Sequence, residues 1–361
     1  MAKPSLPGIK GQPAVSFEAD PGSFPSPVQV GYRAFDRQWM IPDSRLIHRP
    51  SPPLWDAVQD GQVYVVEQHS KVISSGPGIV SSGLIPDMDH FKGSEGGRTL
   101  PFLHPNGDPN VAPGLIGALS TILNIAVTSE DVLAYVSALV SSPAFTATFT
   151  DELTTPGIRI PITADPEVWS AAVTLGRQVV WAQTYGSAYA DPSDGRPEGD
   201  VRIGPDSTLQ QPLCTQGVTE MPTTMTYDEE AMSLHMGDGV WSPVDPRVAD
   251  YAVGGKKSLV SWFGYRKKEP GGRKSSPLDY VHPDSWPSEW TTELTDLLAV
   301  LTRLVSLETA QAEVLEQVLA GRLLQRPELQ ANGVHWPTTN ADRAPRSGQA
   351  ETGTVGEQLT F

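Results

Sequence analysis

Apolar residues change their spacing three times along this chain, and that alternation constrains the fold more tightly than any single motif. From Val28 the pattern is extended and aromatic (Val28, Val30, Tyr32, Phe35, Trp39), and Val63, Tyr64, Val65 and Val66 make a second run of strand formers. Runs at 71–74 and 99–103, bounded by Gly and Pro, read as further strands. After a turn-rich stretch at 105–114 the period becomes helical. Ser129, followed by Glu130 and Asp131, reads as an N-cap, with Val132, Tyr135, Val136 and Leu139 on one face. A second helix opens near Pro166 and repeats Trp169, Val173, Val180 and Trp181 at helical spacing. Alternation returns at 223–227 and 232–236 as a hairpin, with Asp238-Gly239 as the next turn. Finally Leu294, Leu297, Leu298, Leu301, Leu304 and Val305, then Val314, Leu315, Val318 and Leu319 before Gly321, predict a C-terminal helical hairpin.

The expected fold is therefore α+β, with a strand-rich half, helical elements and that terminal hairpin. Residues 28–325 form the folded domain, in one or two lobes. The Pro-, Gly- and Ser-rich residues 1–27 read as a disordered leader, and the polar residues 326–361 as a disordered tail. The segment 191–222, rich in Pro and acids, is too long for an ordinary connector and reads as a functional or mobile loop.

The single cysteine, Cys214, excludes an internal disulfide and any Cys-x-x-Cys zinc or redox pair, which suits a cytoplasmic location. No signal pattern opens the sequence, and the apolar stretch at 112–127 is shorter than a membrane span. No membrane partner is expected. The formal net charge of −16 argues against indiscriminate polyanion binding. Its distribution is uneven: seven cations, Lys256, Lys257, Arg266, Lys267, Lys268, Arg273 and Lys274, face one acid, Glu269, within nineteen positions.

Catalytic signatures are incomplete. Ser51-Pro52-Pro53-Leu54 resembles an amino-methyltransferase loop but has Leu where the stacking ring belongs. Gly254-Gly255-Lys256-Lys257-Ser258 resembles the end of a phosphate-binding loop, yet Asp250 and Lys257 occupy positions that need Gly and Ser or Thr. Asp87-Met88-Asp89-His90 is the one local metal-like cluster, and a self-capping turn accounts for it better. The expectations are no catalytic residue, no metal and no cofactor in this chain.

One string is specific: Arg33-Ala34-Phe35-Asp36-Arg37-Gln38-Trp39, then Pro42-Asp43-Ser44-Arg45-Leu46, Arg49-Pro50 and Leu54-Trp55. In order follow Phe91-Lys92-Gly93, Ser129-Glu130-Asp131-Val132, Ser142-Pro143-Ala144-Phe145, Arg159-Ile160-Pro161, Asp245-Pro246-Arg247-Val248, Trp262, Tyr265-Arg266 and Arg273-Lys274-Ser275-Ser276-Pro277. This series resembles the C-terminal specificity (target-recognition) domain of type ISP restriction-modification enzymes. The resemblance implies a module that recognises double-stranded DNA for phage defence and works with a separate partner. That partner would carry translocase and adenine-N6 DNA methyltransferase activities and bind S-adenosylmethionine.

Two sets of cations are candidate DNA-binding residues. The strip at 256–274 would contact phosphates, a solvated loop being the competing reading. Arg33, Arg37, Arg45 and Arg49 form the second set, with structural salt bridges to Asp36 or Asp43 as the alternative. Loops at 87–98 and 191–216 are the available base readers. Trp39, Trp55 and Trp262 read as core, and the terminal Leu face is wide enough to bury against the body of the domain or against the partner. A remnant or protein-interaction module that no longer binds DNA is the rival function.

Overall fold

The computed structural model describes residues 22–47, 51–69, 73, 75–91, 97–204, 207–269 and 281–346. In chain order its elements are β1 (Val28–Arg33), β2 (Asp36–Met40), α1 (Pro52–Asp56), β3 (Tyr64–Gln68), β4 (Ile79–Ser82) and β5 (Gly97–Pro101). A helical layer comes next, with α2 (Leu115–Leu123), α3 (Ser129–Val140), α4 (Pro143–Thr148) and α5 (Pro166–Gln183). Then come β6 (Leu213–Gln216), β7 (Met225–Asp228), β8 (Ser233–Met236), β9 (Gly239–Ser242), α6 (Pro246–Ala249), β10 (Ala252–Val253), β11 (Lys256–Lys257) and α7 (Ser258–Gly264). The chain closes with α8 (Ser288–Ala320) and α9 (Arg326–Ala331). This is an α+β fold.

All paired strands are antiparallel. They form two-stranded sheets β1-β2 and β10-β11, a three-stranded sheet β4-β3-β5 and a four-stranded sheet β6-β9-β8-β7. The β1-β2 register sorts the hairpin into two unlike faces. Gln29 pairs with Trp39 and Gly31 with Arg37, while Val28 pairs with Met40 and Val30 with Gln38. Directly paired residues project on the same side of a hairpin. One face thus sends Val28, Val30 and Met40 toward Trp55, and the other carries Gln29, Gly31, Arg37 and Trp39. The connection runs through Phe35, whose φ of 65° is left-handed and whose ring is buried.

Helix α3 begins one residue earlier in its capping than the sequence suggested. Thr128, not Ser129, is the N-cap: its hydroxyl accepts the Asp131 N–H while the Asp131 carboxylate accepts the Thr128 N–H. Asp165 caps α5, which has Pro166 at its first position. Gly176 on α5 lies against the Ala134 backbone of α3, and an added Cβ would stand 1.7 Å from the Ala134 carbonyl oxygen, so only Gly allows this close crossing.

The expected terminal helical hairpin is instead one helix. Helix α8 spans 33 residues, about 50 Å at 1.5 Å per residue. Between Val305 and Val314 the sequence Ser-Leu-Glu-Thr-Ala-Gln-Ala-Glu holds neither Gly nor Pro, and most of these residues are good helix formers. The N-terminal half of α8 (Leu294, Leu297, Leu298, Leu301, Leu304, Val305) packs into a core shared with β8, β9 and α7. Its C-terminal half (Val314, Leu315, Val318) enters a second core built by α2 to α5. Of the two expected partners for the Leu face, the body of the chain covers it, with Leu298 and Leu301 fully buried.

Ordered chain also continues past Arg326, where a disordered tail was expected. Leu329 and Val334 are buried in the helical core, and the His335 N–H donates to the Pro113 carbonyl. No helix among the described residues is long and apolar enough to cross a membrane.

Candidate nucleic-acid interface

The outward face of the β1-β2 hairpin forms one wall of a cleft of about 220 Å³. Its other walls are Ser81, Ser82 and Gly83 at the end of β4, Gln183 to Tyr185 at the end of α5, Ser187, and the ring of His90. Sequence explains the convergence. Helix α5 ends where Tyr185 takes a left-handed φ of 55°, turning its ring toward the hairpin, and the Tyr185 hydroxyl donates to the Phe35 carbonyl at 2.8 Å. Asp87 accepts the Asp89 N–H at 2.9 Å, a self-capped turn that delivers His90 inward. An added Cβ on Gly83 would meet Ser187 Oγ at 2.3 Å, so a larger residue here would displace the Ser187 hydroxyl.

Two of the four predicted arginines border the cleft. The Arg33 guanidinium donates to the Tyr32 carbonyl at 2.9 Å, to Asp87 at 3.3 Å and to the Tyr265 hydroxyl at 3.1 Å. Arg37 lies 3.9 Å above the Tyr185 ring and 3.6 Å from Asp296. Both keep N–H groups beyond these contacts, because a guanidinium carries five.

The other two divide differently. Arg45 is buried and grips Asp43 through two hydrogen bonds of 2.8 and 2.6 Å, while reaching the Gly22 and Ser23 carbonyls. It fastens the residues that precede β1, so it belongs to the structural alternative rather than to the DNA set. Arg49 lies outside the described residues.

The basic strip is split in the same way. Arg266 is 3% exposed and donates to Asp36 at 2.8 Å and Glu293 at 3.1 Å, with its guanidinium 4.0 Å from the Trp262 ring. Burial pushes the Asp36 and Glu293 carboxyls upward against the pull of Arg266. Arg266 is therefore an internal clamp joining α7, β2 and α8, a correction to its expected phosphate role. Sequence reasoning missed it because Asp36 lies 230 positions away.

The clamp also places its neighbours. Tyr265 contacts Arg33 and Arg266 holds Asp36, so the end of α7 is docked on the hairpin and Lys267 and Lys268 emerge beside it. Lys268 is exposed and Lys267 half-buried, with the Lys268 N–H anchored on the Pro222 carbonyl at 2.8 Å. Lys256 and Lys257, at the other end of α7, are exposed, and Lys257 pairs with Asp250 at 2.5 Å. Gly254 and Gly255 both have positive φ between β10 and β11, so the motif that resembled a phosphate loop is a two-residue hairpin turn. Arg273 and Lys274 lie outside the described residues.

Trp39 departs from its expected place in the core. It is 66% exposed, whereas Trp55 and Trp262 are buried as expected. Of the 191–216 loop, the part from Pro197 to Arg202 is strapped to the body. Trp181 donates to the Pro197 carbonyl, Arg303 to the Val201 and Arg202 carbonyls, and Arg202 to Asp296.

The sequence profile of the type ISP C-terminal specificity domain matches residues 14–297. No curated protein matches the sequence. The solved structures that share the fold include the following three. One is a nuclease-deletion mutant of the type ISP restriction-modification enzyme LlaGI in complex with a DNA substrate mimic, with a TM-score of 0.53 and 13% identity, covering 83% of this chain and 25% of that one. The second is a DrdV-DNA complex, with a TM-score of 0.56 and 16% identity over 81% of this chain and 28% of that one. The third is the ATP-dependent type ISP enzyme LlaBIII bound to DNA, with a TM-score of 0.51 and 14% identity over 84% and 19%. This chain spans little more than a quarter of those proteins at most. The profile covers most of the chain, and the chain belongs to the type ISP C-terminal specificity domain family.

Proposed function

We propose that this chain is the DNA target-recognition module of a type ISP-like restriction-modification system, acting with a partner that supplies adenine-N6 methylation and binds S-adenosylmethionine. The observation that carries this reading is the docking of α7 on the β1-β2 hairpin. It brings the arginines at the cleft and the lysines that follow α7 onto neighbouring positions in a chain that is otherwise strongly acidic. Lys256, Lys267 and Lys268 position the duplex by its phosphates, as Lys commonly does, and the cleft face with Arg33, Arg37 and Trp39 meets the bases. The neighbouring enzymes whose structures contain DNA support the same reading, and the lone cysteine fits a reducing cytoplasm.

The test is a titration of duplex DNA at several salt concentrations. A protein that neutralises phosphates loses affinity with a log-log slope of about −0.9 per contact. Replacing Lys256, Lys267 and Lys268 by Ala flattens the slope by about 2 to 3, equally for all sequences. A wild-type chain that binds no duplex at low salt overturns the reading in favour of a protein-interaction module. A triple variant that keeps the wild-type slope removes these lysines from the interface.

A further inference from the structure

Helix α8 turns two carboxylates toward the hairpin, Glu293 and, three positions on and therefore on the same face, Asp296. They hold their arginines in different ways. Glu293 accepts from Arg266 at 3.1 Å, and the Arg266 side chain is 3% exposed, so that pair is internal. Asp296 accepts from Arg202 Nε at 3.0 Å and stands 3.6 Å from the Arg37 guanidinium. The second distance is that of an ion pair without a hydrogen bond. The Arg37 and Asp296 side chains keep 25% and 22% of their surface open to solvent, so an incoming anion reaches both. Glu293 also attracts Arg37 from one turn away, but its carboxylate is already committed to Arg266.

The two members of the loose pair differ in freedom. Asp296 sits on a helix whose flanking residues Leu294, Leu297 and Leu298 are buried. Its neighbour Thr295 accepts the Trp241 indole N–H at 3.1 Å, and Arg202 holds the carboxylate itself. Asp296 therefore stays in place. Arg37 lies on the Tyr185 ring at 3.9 Å and lines the cleft, with no hydrogen bond to Asp296 to break before its long side chain swings outward. When it does so, Asp296 keeps Arg202 as a partner, and no carboxylate is stranded.

We propose that Asp296 is a positioning residue for DNA recognition, retaining Arg37 at the cleft and keeping it off the phosphates of duplexes that offer no further contact. This inference rests on the DNA-recognition reading above. Mixed-sequence DNA presents phosphates everywhere, and each cation that meets one adds affinity without sequence information. The resident carboxylate cancels that gain for Arg37, because a phosphate has to displace an existing partner and approach a negative charge. A duplex whose bases fit the hairpin face supplies the additional contacts that draw the arginine across. Penalising the wrong partner is as effective a source of specificity as favouring the right one.

The experiment measures binding of a mixed-sequence duplex by fluorescence anisotropy at several salt concentrations, for the full chain, Asp296→Asn, Arg37→Ala and the double variant. Asn has the shape of Asp, and its side-chain carbonyl still accepts from Arg202, so thermal melting is expected to stay close to wild type. Asp296→Asn is expected to bind about two- to fivefold tighter at low salt, the worth of a partly exposed ion pair. Its log-log salt slope steepens by about 0.9, the mark of one further phosphate contact. Arg37→Ala by itself weakens binding, because it takes away a cation and leaves the carboxylate. Adding Asp296→Asn to Arg37→Ala gives a smaller gain and no change of slope, and this second background subtracts the general effect of removing a negative charge. Wild-type affinity in Asp296→Asn, an equal gain in both backgrounds, or a gain without the steeper slope each overturns the inference. In all three cases binding by the wild type leaves the recognition function standing, whereas a wild type that binds no duplex removes that function.

Discussion

The two cores that share helix α8 are made of different material. Around its C-terminal half, α2 to α5 pack an interior without buried charge: Tyr135 stacks on Trp169 at 4.2 Å, and the Gln311 amide donates to the Ala138 carbonyl. The buried charged residues among those described are Asp36, Asp43, Arg45, Glu67, Arg196 and Arg266, and the pair Asp36 and Arg266 meets the N-terminal half of α8 at Glu293. That region also holds two left-handed non-Gly residues, Phe35 and Tyr185, at the cleft, together with Ser81 Oγ, His90 Nε2 and Gln183 Nε2, buried atoms without a hydrogen-bond partner among the described residues. Apolar packing stabilises whatever it buries without choosing among ligands. Buried polar groups cost stability unless matched, and that cost makes them selective. The helical core thus supplies rigidity, and under the proposed function the hairpin region supplies the discrimination.

The comparison is broken most forcefully at Arg266. Replacing it by Ala leaves Asp36 and Glu293 buried without their cation, and the expected loss is about 3–5 kcal/mol in urea unfolding. Pairing Arg266→Met with Asp36→Leu and Glu293→Leu removes all three charges and recovers much of that loss, because a buried ion group is often no better than a well-packed apolar one. If Arg266→Ala alone unfolds with wild-type stability, the hairpin does not depend on the clamp and the docking of α7 loses its basis.

A pH titration sharpens the contrast further. His90 has a pKa lowered by burial to about 4 from 6.5, with Arg33 adding to the shift and the hydrogen bond to Gly31 opposing it. Between those values the unfolded chain binds a proton that the folded chain excludes. Stability from this group is therefore complete above pH 6.5 and is lost as pH falls toward 4, by about 3 kcal/mol in all. In His90→Asn, whose side-chain amide can still donate to Gly31, that part of the acid sensitivity disappears. Urea melts of both proteins at pH 7 and pH 4.5 provide the check, and equal losses in the two would show that His90 is not buried neutral.

Much of the helical core was legible in the sequence, and the hairpin region far less. Helices α3 and α5 announce themselves locally, through acids in the first turn, Pro at the first position and apolar residues at helical spacing, and β7, β8 and β9 through alternation and the Asp238-Gly239 turn. Strand β4 was missed because Ile79–Ser82 is four residues long and acquires its meaning only by pairing with β3. The continuity of α8 was missed because a gap in Leu spacing was taken for a break, although nothing in it breaks a helix. Trp39 could have been placed outside the core from register alone: a turn at Ala34-Phe35 puts it opposite Gln29, away from Val28 and Val30. The Arg266 clamp and the cleft had no local signature, since their members come from segments up to 257 positions apart, as Asp36 and Glu293 are. Charge density marked the strip correctly as unusual, but it could not tell a buried cation from an exposed one.

The mildest test acts on the helical core and serves as the control for the rest. Thr128 and Asp131 form a reciprocal cap at the start of α3, and the Asp131 carboxylate also pairs with Arg177 of α5. Thr128→Ala removes the side-chain half of that cap and costs about 1 kcal/mol of stability, the usual effect of losing an N-cap. Because α3 packs on α5, and α5 ends at the cleft, rigid transmission would also weaken DNA binding, whereas a merely supportive helical core leaves it unchanged. The expected outcome is a lowered melting temperature with duplex affinity and salt slope equal to wild type, in contrast to Arg33→Ala and Arg37→Ala, which lower affinity. A drop in affinity that tracks the loss of stability in Thr128→Ala would mean that the two cores do not divide the work as their interiors suggest, and that discrimination depends on the packing of α3 against α5 as much as on the polar groups of the cleft.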